Sequence, residues 1–445
     1  MGSYAECWLG PFYLGTTKDD IDPGLMRLFR SADKNVVRGR KQDLPFQMRG
    51  WMNYVEDDEE LSVVFYRAPI PLVRDRLELQ GYTLDLARSV FTTSIRADAA
   101  RYSAYREDPL RQYFEPISRL LEMTDVDQWL TSLKLIKDKG LKQRRKGGTT
   151  TRHKGALIDY MLTTDWYGYS GPDLNVALRL AMEICSDCDE LIYDITDLIQ
   201  SEYFSIDDDL VSYAQGLSSG DYSSGAKVIV LTEGRTDSWI ISDSLRVLYP
   251  HLAEYFTFMD FEGARVGGGA GSLANIVKAF AGAGIINKMV AVFDNDTAAE
   301  AAIRSLRSIR LPANIKILKL PELDVLRKYP TIGPSGLIVM DVNGIAGSIE
   351  LYLGADALSD EGGNLTPVQW TGFESSLGKY QGEVLFKDKI RERFKHMVEA
   401  YTKDPTLPKG ADWSGIRTIL SAIFVAFHQF DGEQITSFVK EYYAQ

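Results

Sequence analysis

The sequence is short of cysteine: Cys7, Cys185 and Cys188 are the three in a chain of 445 residues. An odd count excludes a self-contained disulfide framework and suits a reducing compartment. Histidine is scarce as well, at four residues, so a zinc site built on Cys185-x-x-Cys188 lacks a second ligand pair at usual spacing. Packing of these cysteines in a helical segment is the ordinary reading. Long apolar runs are missing too. The longest, Ala279 to Ile286 and Ala422 to Phe427, fall below the ~18 residues that span a bilayer, which excludes a membrane helix. No Gly-x4-Gly-Lys-Ser/Thr occurs, which argues against intrinsic ATP hydrolysis of the P-loop kind. The N-terminus has neither the basic and apolar regions of a secretory signal nor Ser or Thr at Glu6 for myristoylation; a cytoplasmic location is expected.

Positive charge is in deficit: 50 Lys and Arg against 62 Asp and Glu leave −12, unfavourable for a protein that binds by neutralising phosphates. The deficit is uneven. Between Lys134 and Lys154 nine basic residues face the single acid Asp138, so this segment carries +8 and the rest −20. Lys142, Arg144, Arg145, Lys146, Arg152 and Lys154 are the candidate contacts to a nucleic-acid backbone. A solvated loop without a ligand is the alternative, since Gly147-Gly148-Thr149-Thr150-Thr151 reads as turn-rich.

With 45 % hydrophobic and 25 % charged residues the composition is that of a globular chain of about three domains. Extended, aromatic-rich stretches (Cys7 to Leu14, Leu61 to Tyr66) precede helical spacing from Ile70 to about Leu135, then from Ala156 to Met161 and Leu174 to Ile199. The Gly/Ser-rich run Gln215 to Gly225 marks a boundary. Beyond it strands and helices alternate: Lys227–Thr232, Tyr255–Phe261, Lys288–Phe293 and Ile315–Leu320 as strands, Asp237–Leu248, Ser272–Ala283 and Ala298–Ile309 as helices. Such alternation predicts a parallel sheet with functional groups at the strand C-termini. From Gly354 onward a turn-rich stretch leads into a helical remainder.

Acids occupy those strand ends. Lys227–Thr232 runs into Glu233-Gly234-Arg235-Thr236-Asp237, and Val290–Phe293 into Asp294-Asn295-Asp296. Three anions gathered without a cation repel, whereas hard divalent ions are held by a few carboxylates, water and phosphate. A polar surface turn is the alternative for Asp294 to Asp296 taken alone. The glycine run Gly263 to Gly271 before a helix reads either as a phosphate cradle or as a connection beside the site.

This pattern, Glu233-Gly234 with Asp237 and then Asp294-x-Asp296 after an apolar strand, resembles the Toprim catalytic domain of topoisomerases, bacterial primases and nucleases of the overcoming-lysogenisation-defect family. The resemblance spans about Lys227 to Gly354. It implies an α/β, Rossmann-like parallel-sheet domain and a metal-dependent nuclease with Glu233, Asp294 and Asp296 as catalytic residues. Mg²⁺ or Mn²⁺ would be held by these three with Asp237 and Glu350, the latter from Ser348-Ile349-Glu350-Leu351-Tyr352-Leu353. A carboxylate favoured at a helix start is the ordinary reading of Glu350. Lys319 falls where that nuclease branch places a basic residue near phosphate. Met1 to Cys7, Leu72 to Thr83 and Tyr193 to Leu198 resemble the N-terminal domain attached to HEPN or Toprim modules in prokaryotic antiphage defence proteins.

The expected layout is a mixed, mostly helical N-terminal domain over 1–220, the Toprim domain over 226–355 and a helical domain over 356–445. The expected function is phosphodiester hydrolysis of DNA or RNA, tRNA included, in antiviral defence. The missing P-loop leaves room for a partner ATPase or a phage-encoded trigger, and a homo-oligomer is compatible with the sequence. Two other readings stand beside it. One is a non-catalytic nucleic-acid or nucleotide sensor. The other is a metal-free HEPN ribonuclease using Arg391 and His396, although five residues of helix turn these side chains about 140° apart.

Overall fold

A computed structural model of the chain describes residues 2–44, 60–104, 111–143, 155–171, 173–217, 227–259, 267–360, 362–375, 377–403 and 411–428. They form two compact units that divide near residue 220. No helix among the described residues is long and apolar enough to cross a membrane.

The first unit is built on strands β1 (Tyr4–Leu9), β2 (Phe12–Lys18), β3 (Lys34–Arg40), β4 (Glu60–Pro69) and β5 (Glu190–Asp194), antiparallel in the order β2-β1-β5-β4-β3. Period-two alternation sends Cys7, Leu9, Tyr66 and Tyr193 into the main core, with helices Ile70–Leu79, Leu84–Ala104, Val126–Asp138 and Leu174–Ala181. Val63, Phe65 and Ile192 form a smaller cluster. In the Leu72 to Thr83 stretch, Arg76 is fully buried and donates to the Leu28 carbonyl (2.8 Å) and Asp33 (2.6 Å), tying its helix to the sheet's rim.

The second unit holds β6 (Val228–Thr232), β7 (Phe256–Phe258), β8 (Met289–Phe293), the two-residue β9 (Asn295–Asp296) and β10 (Ile315–Lys319). Four of these pair in parallel in the order β10-β8-β6-β7. The central strand β8 is buried throughout and β6 over its last three residues, which is why these apolar runs lack alternation in the sequence. Leu231, Ala291 and Phe293 pack against the Ala270–Gly282 and Thr297–Leu306 helices. The Arg235–Leu248 helix contacts β6 and is met by the Lys387–Lys403 and Ser414–Phe424 helices, with Trp239 edge-on to Phe394 at 6.3 Å. Since β7 and β8 flank β6 on opposite sides, the chain reverses direction across the sheet there. The crevice at a parallel sheet's switch point lies outside the strand C-termini.

Three further elements depart from the sequence reading. The predicted helical block Leu174 to Ile199 ends at Ala181, and β5 fills the centre of the first sheet. Leu191-Ile192-Tyr193 is buried on both faces, and a short apolar run without alternation carries no period that separates strand from helix. Cys185 and Cys188 consequently flank a turn, not a helix. Second, β11 (Tyr329–Gly333), β12 (Gly336–Met340), β13 (Ala346–Gly347), β14 (Val368–Glu374) and β15 (Lys379–Val384) follow the parallel sheet. β11, β12, β14 and β15 make a second four-stranded sheet, so the remainder beyond 356 is not wholly helical. Both hairpin strands β14 and β15 are largely solvent-facing, and a bulge at Trp370/Gly372 interrupts the alternation that would have signalled them.

Third, β13 pairs with β9 and draws the chain before Glu350 against the end of β8. Gly347 makes this approach: a Cβ there would meet the Asn295 carbonyl at 2.7 Å. Gly347→Val should therefore destabilise this unit by about 1–3 kcal/mol through overpacking. Thermal melts check this; an unchanged melting temperature would show that β13 is not held against β9.

Candidate functional site

Parallel register sets the geometry. Thr232 pairs with Val292, so the chains leaving β6 and β8 emerge side by side, one with Glu233 and the other with Asp294. The Glu233 carboxylate accepts the Asp294 backbone N–H at 2.9 Å. The Asp294 carboxylate in turn accepts the Ile349 N–H at 3.1 Å, which binds the Glu350 segment to the same strand end. Asp296 caps the Thr297–Leu306 helix by accepting from the Ala299 N–H at 2.7 Å. Asn295, buried between the two acids, accepts the Gly344 N–H at 3.0 Å. Asp237 lies in the first turn of the Arg235–Leu248 helix. The structure thus gathers Glu233, Asp237, Asp294, Asp296 and Glu350 in one neighbourhood.

Their protonation reflects that crowding. Burial first, then the charges of Asp296 and Asp237, push the Glu233 carboxyl up to about 7 despite backbone hydrogen bonds from Asp294 and Ala270. Burial and the Glu350 charge push Asp237 to about 7. Asp294 is raised well above the ordinary range by burial and by all four neighbouring acids. Burial also raises Asp296, against the pull of the Ala299 N–H, Lys319 and Lys387. Glu350 behaves oppositely. Burial opposes its ionisation, but the Ser348 hydroxyl, Lys387 and Arg391 prevail and hold it low.

Arg391 explains this. Its Nη2 and Nε meet one Glu350 oxygen at 2.6 and 2.9 Å, while Ser348 donates to the other at 2.7 Å. Glu350 is 1 % exposed, so the ion pair is what makes its burial tolerable. Neither Arg391 nor Lys387 was legible as a partner of the acids, because Glu350 lies 41 residues upstream of Arg391 and no local spacing links them. Lys319, by contrast, ends β10 opposite Phe293 in register and its charge acts on Asp296, at the edge of the acid group.

Other candidates do not join this site. Arg391 is committed to Glu350, and His396 is 69 % exposed beside Glu399 on the same helix, so the pair does not converge on a common point. Cys185 donates to the Ala181 carbonyl at 3.4 Å and Cys188 is exposed; both are free thiols. Of the glycine run, 267–271 is described, and Gly269, at φ +98°, donates its N–H to the Glu233 carbonyl at 2.6 Å, closing the loop against β6. Lys142 is exposed in the first unit; Arg144, Arg145, Lys146, Arg152 and Lys154 lie outside the described residues.

Among the described residues no three His, Cys, Asp or Glu side chains already converge on a metal-binding point. The donor set is nevertheless all carboxylate, buried and self-repelling, which suits a hard divalent cation. Glu350 is the exception in fit, since Arg391 already supplies its positive charge.

Residues 1–217, just under half of the chain, match the family model described as HEPN/Toprim N-terminal domain 1. The match covers the first unit, whereas the acid group lies in the second. No curated protein and no solved structure matches the sequence.

Two measurements follow from these contacts. Arg391→Met should destabilise the second unit by about 2–3 kcal/mol at pH 8, less than a fully buried pair because Arg391 is 31 % exposed, and Glu350→Gln in the same chain should restore most of it. Denaturant unfolding of both variants checks this; equal losses in both would contradict it. The second concerns pH. Glu233 and Asp237 bind protons more tightly folded than unfolded, so metal-free stability should fall as pH rises from about 4 to about 7, the window set by these shifts. Glu233→Gln should flatten that fall in thermal melts, and a slope of opposite sign would contradict the repulsion.

Proposed function

We propose that the second unit is a Toprim-type, divalent-metal-dependent nuclease that hydrolyses phosphodiester bonds in DNA or RNA. The observation that carries this is the convergence of Glu233 and Asp294 at neighbouring parallel strand ends, with their carboxyls raised first by burial and then by the acids around them. The HEPN/Toprim match of the first unit supports a nuclease-related function independently of these acids. The antiviral role rests on the resemblance of the sequence alone.

In this reading Glu233, Asp294 and Asp296 hold Mg²⁺ or Mn²⁺, with Asp237 completing a second position. Bound there, the metal would polarise the scissile phosphate and lower the pKa of the attacking water. The chain's own groups do the rest. Asp294 and Asp296 are oriented by the Ile349 and Ala299 N–H groups, so their free oxygens are fixed before any cation arrives. Lys319 and Lys387 bring positive charge to the edge of the acids, where a phosphate would sit. Arg391 keeps Glu350 ionised and pointed by a fixed ion pair, which makes Glu350 an orienting anion more than a free ligand.

The test is cleavage of labelled DNA, tRNA and mRNA by the full chain with Mn²⁺ and with EDTA. Cleavage should need the metal, leave 5′-phosphate ends, fall at least about 100-fold in Asp294→Asn and Glu233→Gln, and stay within a few-fold in His396→Ala. Activity in EDTA with 2′,3′-cyclic phosphate products would contradict the proposal and favour chemistry at a 2′-hydroxyl.

A further inference from the structure

Beside the acid group the β14–β15 hairpin and the start of the Lys387–Lys403 helix enclose an open groove of about 490 Å³. Gln369, Thr371, Glu383, Phe386, Lys387 and Lys389 line it. Lys387 belongs to both places: it lies 3.3 Å from Glu383 in the groove, and its charge acts on Asp237, Asp296 and Glu350. Lys387 is thus shared between the groove and the proposed cleavage site.

Phe386 is the unusual residue. It is 64 % exposed, and its φ is +53°, a left-handed conformation that a bulky side chain adopts only against steric cost. Burial cannot be what holds it there, since the ring faces solvent. Lys389 lies over one ring face, with Nζ 5.5 Å from the centroid, and the ring itself lines the groove. Phe373 and Tyr380 on the adjoining hairpin are exposed as well, in edge contact at 5.2 Å. Glu383 and Asp388 offset the two lysines, so the groove is not a track for phosphates. What it offers is a flat aromatic face beside an amide and a hydroxyl.

We propose that this groove receives an unpaired nucleobase, stacked on Phe386 and hydrogen-bonded by Gln369 and Thr371, which makes single-stranded nucleic acid the substrate class. Every base has a π-face, and stacking on an exposed aromatic ring is how unpaired bases are held with little sequence preference. Bases paired in a duplex present no such face. The inference rests on the nuclease reading for its phosphate chemistry, but binding tests it without cleavage.

The experiment uses the full chain in EDTA with single-stranded DNA and RNA of one sequence carrying 2-aminopurine, and the matching duplexes. Wild type should quench 2-aminopurine and bind single strands in preference to duplex. Phe386→Ala should weaken single-strand binding about tenfold and abolish the quench, with duplex binding unchanged, whereas Phe386→Trp should retain both. Phe386→Gly, which suits φ +53°, should bind as weakly as Phe386→Ala while melting higher than wild type. Single-strand binding within twofold of wild type in Phe386→Ala, or equal losses for single strand and duplex, would overturn the proposal. Because no cleavage is read, quenching lost with Phe386 in a protein that never cleaves would keep the groove and sink the nuclease reading. Metal-dependent cleavage without any quench would do the reverse.

Discussion

Burial of several carboxylates beside one another at two adjacent parallel strand ends is the constraint around which the second unit is organised. Glu233 and Asp294 cannot move apart, because the β6–β8 register places them side by side and the Asp294 N–H binds the Glu233 carboxylate. Each surrounding element relieves the crowding in its own way. Backbone N–H groups of Ile349 and Ala299 take one oxygen of Asp294 and one of Asp296. Arg391 and Ser348 neutralise and fix Glu350, and Lys319 and Lys387 lend charge from the rim. What remains uncompensated is Glu233, Asp237 and Asp294, whose carboxyls sit high through burial first and then through their neighbours' charge. A divalent cation is the economical way to settle that remainder.

The division of roles between the units is informative. The first unit carries the HEPN/Toprim N-terminal match and is organised by an antiparallel sheet whose polar ties, such as Arg76 to Leu28 and Asp33, are structural. The chemistry-bearing acids all fall in the second unit. There the Arg235–Leu248 helix stands between the sheet and the two C-terminal helices, so the Lys387–Lys403 helix delivers Arg391 and Lys387 to the acids while its N-terminal end borders the Phe386 groove. One helix thus serves the electrostatics of the site and the rim of the adjoining surface.

How much of this was legible in the sequence depended on whether the signal was local. The parallel strands were readable because they are short, rich in apolar and β-branched residues and alternate with helical spacing, and the acids because they directly follow the apolar runs of β6 and β8. The β5 strand was not, since Leu191-Ile192-Tyr193 has no alternation to distinguish it from the helix before it. The β14–β15 hairpin hid behind a bulge and two solvent-facing faces. Arg391 illustrates a different limit. Its spacing to His396 drew attention to the wrong partner, while its true partner, Glu350, is set by the packing of two elements remote in sequence. Phe386 carries no sequence signal of strain, because a positive φ is a property of the folded backbone. Residues 144–154 of the basic segment, the strongest charge feature of the sequence, lie outside the described residues, so of its candidate nucleic-acid contacts only Lys142 is placed.

The central claim is that these strand-end acids await a cation. Calorimetric titration of the metal-free chain with Mn²⁺ near pH 6.5, repeated in buffers of different ionisation enthalpy, reads it most directly, because a cation entering a site of raised carboxyls must expel their protons. The account predicts binding with release of about one proton, lost in Asp294→Asn and kept in His396→Ala. Absence of Mn²⁺ binding, or binding that survives Asp294→Asn with no proton released, would contradict it.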